Sequence, residues 1–306
     1  MNSNDEKQVP MLRPQTSPET TGSDRRAKSA SWRSAIAALI LVASTMTTVA
    51  HAGQPCDARS VTTSEVINGI GLAAQTARAL ESRGVQAGVI ARMGQDLSKW
   101  RQRYSHIGLV YRANPTGSAV TWRVVHKLND CGSDTANIYR QGLAEFFADA
   151  PYDWEAAVVP LSGEAAKKLL AVLKDNKRVI RLHEPRYSMV AYPWATKYQQ
   201  SNQWVLETMA MTVEPRIWQR ALAQSWLRFQ GYEPDRVRIG TLSRLGARLT
   251  KANIEFDDHP TRLRFSGRID TTTADSALRW LEHSGYGGPR IVVRLRRAQQ
   301  PGYRAR

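Results

Sequence analysis

The stretch Tyr104–Asn129 reads YSHIGLVYRANPTGSAVTWRVVHKLN and has the pattern of a β-hairpin. Two runs with strand-like alternation, Ser105–Arg112 and Val120–Leu128, flank a polar segment that contains Pro115 and Gly117. We therefore predict two antiparallel strands joined by a short loop, with the other elements of the chain packed around them.

The predicted hairpin carries two histidines on one face. Alternation puts His106 and His126 on the same side of their strands. A hairpin folded symmetrically about Thr116 would place the two imidazoles directly opposite each other, where Cβ atoms are about 4.5–5.5 Å apart. Such a pair is expected to be either a functional site or a pH-sensitive structural contact.

The first 52 residues have the composition of a secretory leader rather than of a folded domain. A polar, partly basic segment precedes the apolar run Ala35–Ala43, and Ala50-His51-Ala52 follows as an A-x-A cleavage site. We predict a signal peptide with a long polar n-region, cleaved after Ala52, and a periplasmic or secreted protein. The alternative is an uncleaved N-terminal anchor, although the run is short for a span of about 20 residues. No stable membrane span is expected once the leader is removed.

The chain of 306 residues has a formal net charge of +16, and many of its arginines lie near the C-terminus. A basic surface suits anionic partners such as envelope polymers, lipid head groups or nucleic acid. Nucleic acid is not expected, because the chain is predicted to be exported and has no nucleic-acid-binding motif. A cell-envelope polymer or peptide is the expected partner of the fold, and a solvated arginine-rich tail without a dedicated partner is the alternative for the C-terminus.

The two cysteines are Cys56 and Cys131. In an exported protein two thiols most often pair, so we predict a disulfide bond between them. Neither cysteine has metal-ligand spacing, and Asp257, Asp258 and His259 are consecutive residues that rarely converge on one ion. We predict an Asp–His hydrogen bond in that loop, and no metal or other cofactor.

Helical and strand-like segments alternate irregularly after residue 52, which predicts an α+β fold in a single domain, an antiparallel sheet with packed helices. The principal predicted helices are Thr63–Ser82, Asn137–Ala148, Gly163–Leu173, Ser201–Met211, Arg216–Gln230, Thr241–Ala252 and Thr272–His283. The predicted strands outside the hairpin are Val85–Arg92, Trp154–Leu161, Arg262–Ile269 and Arg290–Arg296.

A second group of polar residues precedes and opens the helix predicted over Ser201–Met211. A nucleophile at a helix N-terminus is stabilised as an anion by the helix dipole, so Ser201 is a candidate nucleophile. The alternative is structural, because serine is a preferred N-cap residue. Trp122, Trp194 and Trp204 are candidates for a ligand platform, although aromatic residues at these spacings more often belong to the core.

The order of these motifs resembles the circularly permuted papain-like superfamily, which includes NlpC-type peptidases and lecithin retinol acyltransferase-like enzymes. Ser105-His106-Ile-Gly108 matches its first histidine strand, Val125-His126 its second, and Gln200-Ser201-Asn202-Gln203 its helix start. The resemblance covers roughly residues 85–211, leaving 212–306 as an extension, and implies that Ser201 is the nucleophile, His106 the base and His126 its orienting partner. The family has cysteine where this chain has Ser201, and a hydroxyl is a weaker nucleophile than a thiol.

The mature chain is also similar to the bacterial domain-of-unknown-function family 2145. The segments that carry this similarity are Arg92–Leu97, Tyr104–Gly108, Val125–Asn129, Gly142–Phe147, Tyr198–Glu207 and Phe256–Pro260.

Two hypotheses follow for function. The first is a hydrolase or acyltransferase acting on a cell-envelope amide or ester, with an oxyanion held by backbone N–H groups and Asn202 or Gln203. The second is a non-catalytic protein that keeps the cleft as a binding site.

Overall fold

The computed structural model describes residues 61–113, 120–130, 133–149, 151–239 and 253–295, all within one compact unit, Ala50–Arg306. Its strands are β1 (Ala87–Met93), β2 (His106–Arg112), β3 (Trp122–Asn129), β4 (Ala136–Gly142), β5 (Asp153–Pro160), β6 (Asp235–Arg238), β7 (Arg268–Thr271) and β8 (Ile291–Arg294). Its helices are α1 (Thr63–Glu81), α2 (Leu143–Ala148), α3 (Gly163–Leu173), α4 (Asn176–Val179), α5 (Ser201–Val213), α6 (Arg220–Phe229), α7 (Thr261–Phe265) and α8 (Ala274–His283). The predicted leader, both cysteines and the helix predicted over Thr241–Ala252 lie outside the described residues.

Six strands form one antiparallel sheet in the order β4-β3-β2-β1-β5-β8, and β6 pairs with β7 in a separate antiparallel ribbon. The predicted α+β class with an antiparallel sheet is therefore confirmed. A short 3₁₀ helix, Ser98–Trp100, lies between β1 and β2.

The sheet is covered on both faces, which explains why β1 is an almost continuous apolar run rather than an alternating one. Val89 and Ala91 belong to the larger core cluster, together with residues of α3, α5, α6 and α8. Ile90 points to the opposite face and belongs to a second cluster with α1 and α2. A strand that is buried on both faces has no solvent side on which polar residues are needed.

Two predicted elements are wrong in type. The segment predicted as one helix over Asn137–Ala148 is strand β4 followed by the short helix α2, because its first half pairs with β3 along the edge of the sheet. The segment predicted as a strand over Arg262–Ile269 is helix α7 followed by β7. Gly267, with φ of +69°, makes the left-handed turn that separates these two elements.

Helix α5 is the central helix of the molecule, and all but the last of its residues are buried. Its buried carboxylate, Glu207, accepts hydrogen bonds from Arg220, Gln199 and Gln224 at 2.6–2.7 Å. A buried charge is tolerated when it is paired and hydrogen-bonded in this way. The network fixes α5 against α6 and against the segment before Ser201, so the start of α5 has a defined position.

Candidate functional site

A cavity of about 390 Å³ lies at the end of the large sheet, where β1 ends and β2 begins. Its volume falls within the ~300–1,000 Å³ of small-molecule sites. The polar residues at the end of the sheet and the start of α5 that line it include Arg92, Ser105, His106, Gln200, Ser201 and Asn202. The cavity therefore brings together His106 and Ser201, which are far apart in the sequence.

The hairpin is confirmed, but the predicted direct opposition of its histidines is wrong. Leu109 pairs with Val125, so the register is shifted by two residues and His106 lies diagonally from His126. An even shift keeps every side chain on its original face. The two rings therefore still meet, with Nε2 of His106 2.8 Å from Nδ1 of His126.

Gly108 leaves the space in which these rings approach each other. A Cβ atom at this position would lie 2.5 Å from Cγ1 of Val124 and 3.1 Å from Cβ of His126. Both distances are shorter than ordinary van der Waals contact, so the position requires glycine for close packing.

We expect Gly108→Ala to lower the free energy of unfolding by about 1–3 kcal/mol, the usual effect of overpacking a filled core. The control is Gly163→Ala, because a Cβ on Gly163 meets no atom within 4 Å. Urea denaturation of the two variants and the native chain measures the difference. Equal stabilities for both variants would contradict the packing argument.

Hydrogen bonds fix the tautomers of both imidazoles. The amide of Gln141 donates to Glu145 at 3.1 Å, which leaves its oxygen 2.7 Å from Nε2 of His126. His126 must therefore carry its proton on Nε2, and its Nδ1 accepts the Nε2 proton of His106. Nδ1 of His106 is consequently the unprotonated nitrogen, and the pair has one available basic atom.

Both histidines are held neutral. Burial lowers the pKa of His106 well below its usual value, and the charge of Arg92 adds to the effect. Burial and Arg92 likewise lower the pKa of His126 to about 4. The guanidinium of Arg92 lies 5.1 Å from the centre of the Phe146 ring and forms an ion pair of 2.5 Å with Asp149. This fixed cation disfavours a second positive charge on either imidazole.

The depressed pKa of His126 makes the fold sensitive to acid. Below pH 6.5 the unfolded chain takes up a proton that the folded chain takes up only near pH 4. The free energy of unfolding therefore decreases as the pH is lowered from 6.5 to 4. For a shift of this size we expect a loss of about 2 kcal/mol between pH 7.5 and 5.0.

Denaturation of the native chain and of His126→Gln at the two pH values measures this contribution. The variant is expected to retain part of the pH dependence, because burial also lowers the pKa of His106 and lowers that of His183 to about 4. An unchanged pH dependence in the variant would contradict the assignment to His126.

Asn202 fixes the start of α5 against the strand that carries His106. The backbone N–H of Ile107 donates to Oδ1 of Asn202 at 3.1 Å, and Nδ2 of Asn202 lies 3.5 Å from the carbonyl oxygen of Ser105. The side-chain amide of Asn202 thus contacts the backbone on both sides of His106. This part of β2 precedes Leu109, where the pairing of β2 with β3 begins. Ser201 is the residue next to this anchor.

Burial raises the pKa of Tyr187, and the nearby hydroxyl of Ser201 opposes part of this rise. Ser201 is the first residue of α5, and Gln200 holds the N-cap position. Ser201 is therefore not the N-cap residue, and the structural role that the sequence offered as an alternative for it is not observed.

The other predicted binding residues contribute to packing rather than to the cavity. Gln203 is buried and directs its Nε2 to the carbonyl oxygen of Pro193 at 3.3 Å. Trp204 is fully buried, and Trp122 belongs to the cluster beneath α1 and α2. Trp194 packs against the larger core, with the guanidinium of Arg228 4.4 Å from its ring centre.

Several residues of the site were not predicted as such. Gln141 lies in the segment that the sequence predicts as a helix, whereas it belongs to strand β4, which pairs with β3. Arg92 carries a sequence signal, since a charged residue at the end of a buried apolar run needs a dedicated partner. Trp100 lines the cavity, whereas Trp122, Trp194 and Trp204 do not.

No helix within the described ranges combines the length and apolar character needed to cross a membrane. In the same ranges no three acidic, histidine or cysteine side chains are grouped as metal ligands. The predicted hydrogen bond in the acidic loop is present, with Oδ1 of Asp258 2.9 Å from Nδ1 of His259.

The family described as "Uncharacterized protein conserved in bacteria (DUF2145)" matches residues 79–281, about two thirds of the chain. The chain belongs to this family. The matched region includes His106, His126, the start of α5 and all the residues that line the cavity, so the site described above lies within the part of the chain that matches the family. No curated protein and no solved structure shows significant similarity to this chain.

Proposed function

We propose that this member of the DUF2145 family binds, and slowly hydrolyses, an amide or ester of the cell envelope after export to the periplasm or the exterior. The observation that carries the proposal is the chain of hydrogen bonds that leaves Nδ1 of His106 unprotonated in a residue that lines a cavity shared with Ser201. Two buried imidazoles with fixed tautomers form a base with a defined donor and acceptor pattern.

In the proposed reaction, Nδ1 of His106 accepts the hydroxyl proton of Ser201 as its oxygen attacks the carbonyl carbon. The leaving amine or alcohol then takes that proton, and water releases the acyl group from the serine in a second step. His126 holds the orientation of His106 and Gln141 holds that of His126. Backbone N–H groups in the first turn of α5 have no partners within the helix and would stabilise the oxyanion.

The same geometry supports slow rather than fast turnover. Burial and the charge of Arg92 both oppose formation of the imidazolium that the reaction requires. No direct hydrogen bond joins the described side chains of Ser201 and His106, so the Ser201 hydroxyl must first turn toward His106. Weak basicity and a serine in place of a thiol both lower the expected rate.

The second candidate is a non-catalytic protein whose cavity only binds its ligand, an envelope polymer or peptide. The lack of a direct hydrogen bond between the described side chains of Ser201 and His106 favours it, because a serine nucleophile needs a base within reach. A hydrolysis screen with chromogenic esters and amides, run on the native chain and on Ser201→Ala, separates the two candidates. Fractionation of cells producing the full chain tests export, with a mature N-terminus expected at Gly53.

A further inference from the structure

The cavity has a second, apolar part that the proposed chemistry does not use. Its apolar lining comes mainly from the ribbon of β6 and β7 and the segments packed on it. These side chains are Trp100, Val190, Val237, Ile239, Ile254 and Phe256. Val190 and Phe256 form a small core cluster, and Val237, Ile239 and Ile254 pack on it while remaining only partly buried. Trp100 is held at this wall by a hydrogen bond of 3.0 Å from its Nε1 to the carbonyl oxygen of Arg238.

The charges around the cavity fit an uncharged ligand. Among the described residues that line it, the charged side chains are Arg92 and Asp149, and these are paired with each other. A charged ligand would need ionic partners, and this pair already satisfies its own charges. Partly exposed Val and Ile side chains instead gain free energy when an apolar group displaces water from them.

We infer that the substrate is an ester or amide that carries an apolar alkyl or aryl group, seated against Val237, Ile239 and Ile254 while its carbonyl lies near Ser201 and His106. The inference rests on the proposed function for the position of the reacting bond. It goes beyond that function by assigning the remaining part of the cavity to a hydrophobic part of the substrate.

The experiment measures kcat/KM of the full chain for 4-nitrophenyl esters from acetate to octanoate, with Ser201→Ala subtracted as background. Each added methylene that leaves water for the apolar wall should raise kcat/KM about fourfold until the cavity is filled. Ile239→Ser should flatten this series. Ile180→Ser is the matched control, because Ile180 is 54% exposed and does not line the cavity.

A second measurement keeps the inference testable without turnover, namely calorimetric binding of N-octylacetamide to the native chain and the same variants. Binding that is lost in Ile239→Ser and kept in Ile180→Ser supports the apolar site even if no ester is hydrolysed, in which case only the proposed catalysis fails. Serine-dependent hydrolysis without any dependence on chain length would overturn the inference and leave the proposed function standing. Neither hydrolysis nor binding would overturn both.

Discussion

Replacing His106 with glutamine is expected to lower the rate of ester or amide hydrolysis by a factor of about 10²–10⁴, the usual contribution of a positioned general base. Glutamine keeps a donor for Nδ1 of His126, but its amide cannot accept a proton at neutral pH. The hydrogen-bonded partner is thus retained while the basic nitrogen is removed. The measurement is kcat/KM for the best substrate found in the hydrolysis screen.

His283→Gln is the matched control, because His283 is an exposed histidine at the end of α8 and does not line the cavity. Its activity should equal that of the native chain. Native-like activity in His106→Gln would refute the assignment of His106 as the base. Ser201→Cys provides a further test. If this variant hydrolyses a substrate that the native chain does not, the result would favour a binding protein whose cavity is a degenerate enzyme site.

Replacing Arg220 with methionine is expected to lower the free energy of unfolding by about 3–5 kcal/mol, the effect of breaking a buried ion pair from one side. Nε of Arg220 lies 2.7 Å from Oε2 of Glu207, whose side chain is fully buried. The guanidinium also donates to the carbonyl oxygens of Thr196 and Tyr198, so it ties the segment before α5 to the helix pair. Urea denaturation at neutral pH measures the loss.

The double variant Glu207→Leu/Arg220→Met tests the mechanism of that loss. Without the buried carboxylate, methionine no longer leaves a charge unpaired, so the double variant should be more stable than Arg220→Met alone. Arg216→Met is the surface control, because Arg216 pairs with Glu214 in solvent and is 89% exposed at its side chain. A double variant less stable than the single one would show that lost packing, rather than the unpaired charge, dominates.

The hairpin shows how much of the site the sequence predicts. Period-two alternation places His106 and His126 on the same face, and a shift of the pairing by an even number of residues does not change this. The sequence therefore predicts that the two rings meet, although it does not give the register. The register depends on the loop, and the absent side chain of Gly108 then decides how closely the rings approach. The sequence pattern therefore predicts the face of the sheet on which each histidine lies, while side-chain packing determines how closely the two rings approach.

The edge strand β4 is less predictable from the sequence than the central strands of the sheet. The segment that became β4 has only modest alternation, and the apolar positions of Leu143, Phe146 and Phe147 extend a helical pattern backwards across it. What makes β4 a strand is its pairing with β3, which is a tertiary effect that outweighs local preference. The helical prediction also gives no reason to expect Gln141 beside His126, since that contact depends on the pairing of β4 with β3.

Buried polar partners that are distant in sequence were the least predictable feature. Asp258 and His259 are adjacent, and their hydrogen bond could be predicted from the sequence. Glu207 and Arg220 are separated by a helix end and a turn, and no sequence pattern pairs them. Only the packing of α5 against α6 brings the two charges together.

Asn202 and Gln200 connect the two parts of the cavity. The amide of Asn202 joins the start of α5 to the backbone on both sides of His106, and its Nδ2 also lies 3.4 Å from the carbonyl oxygen of Thr272. Gln200 donates from Nε2 to Oγ1 of Thr271 at 2.6 Å, so the ribbon of β6 and β7 that carries the apolar wall is bonded to the same helix start. We therefore expect a substitution that displaces this ribbon to move the start of α5 as well, so that the apolar wall and the polar residues of the cavity change position together.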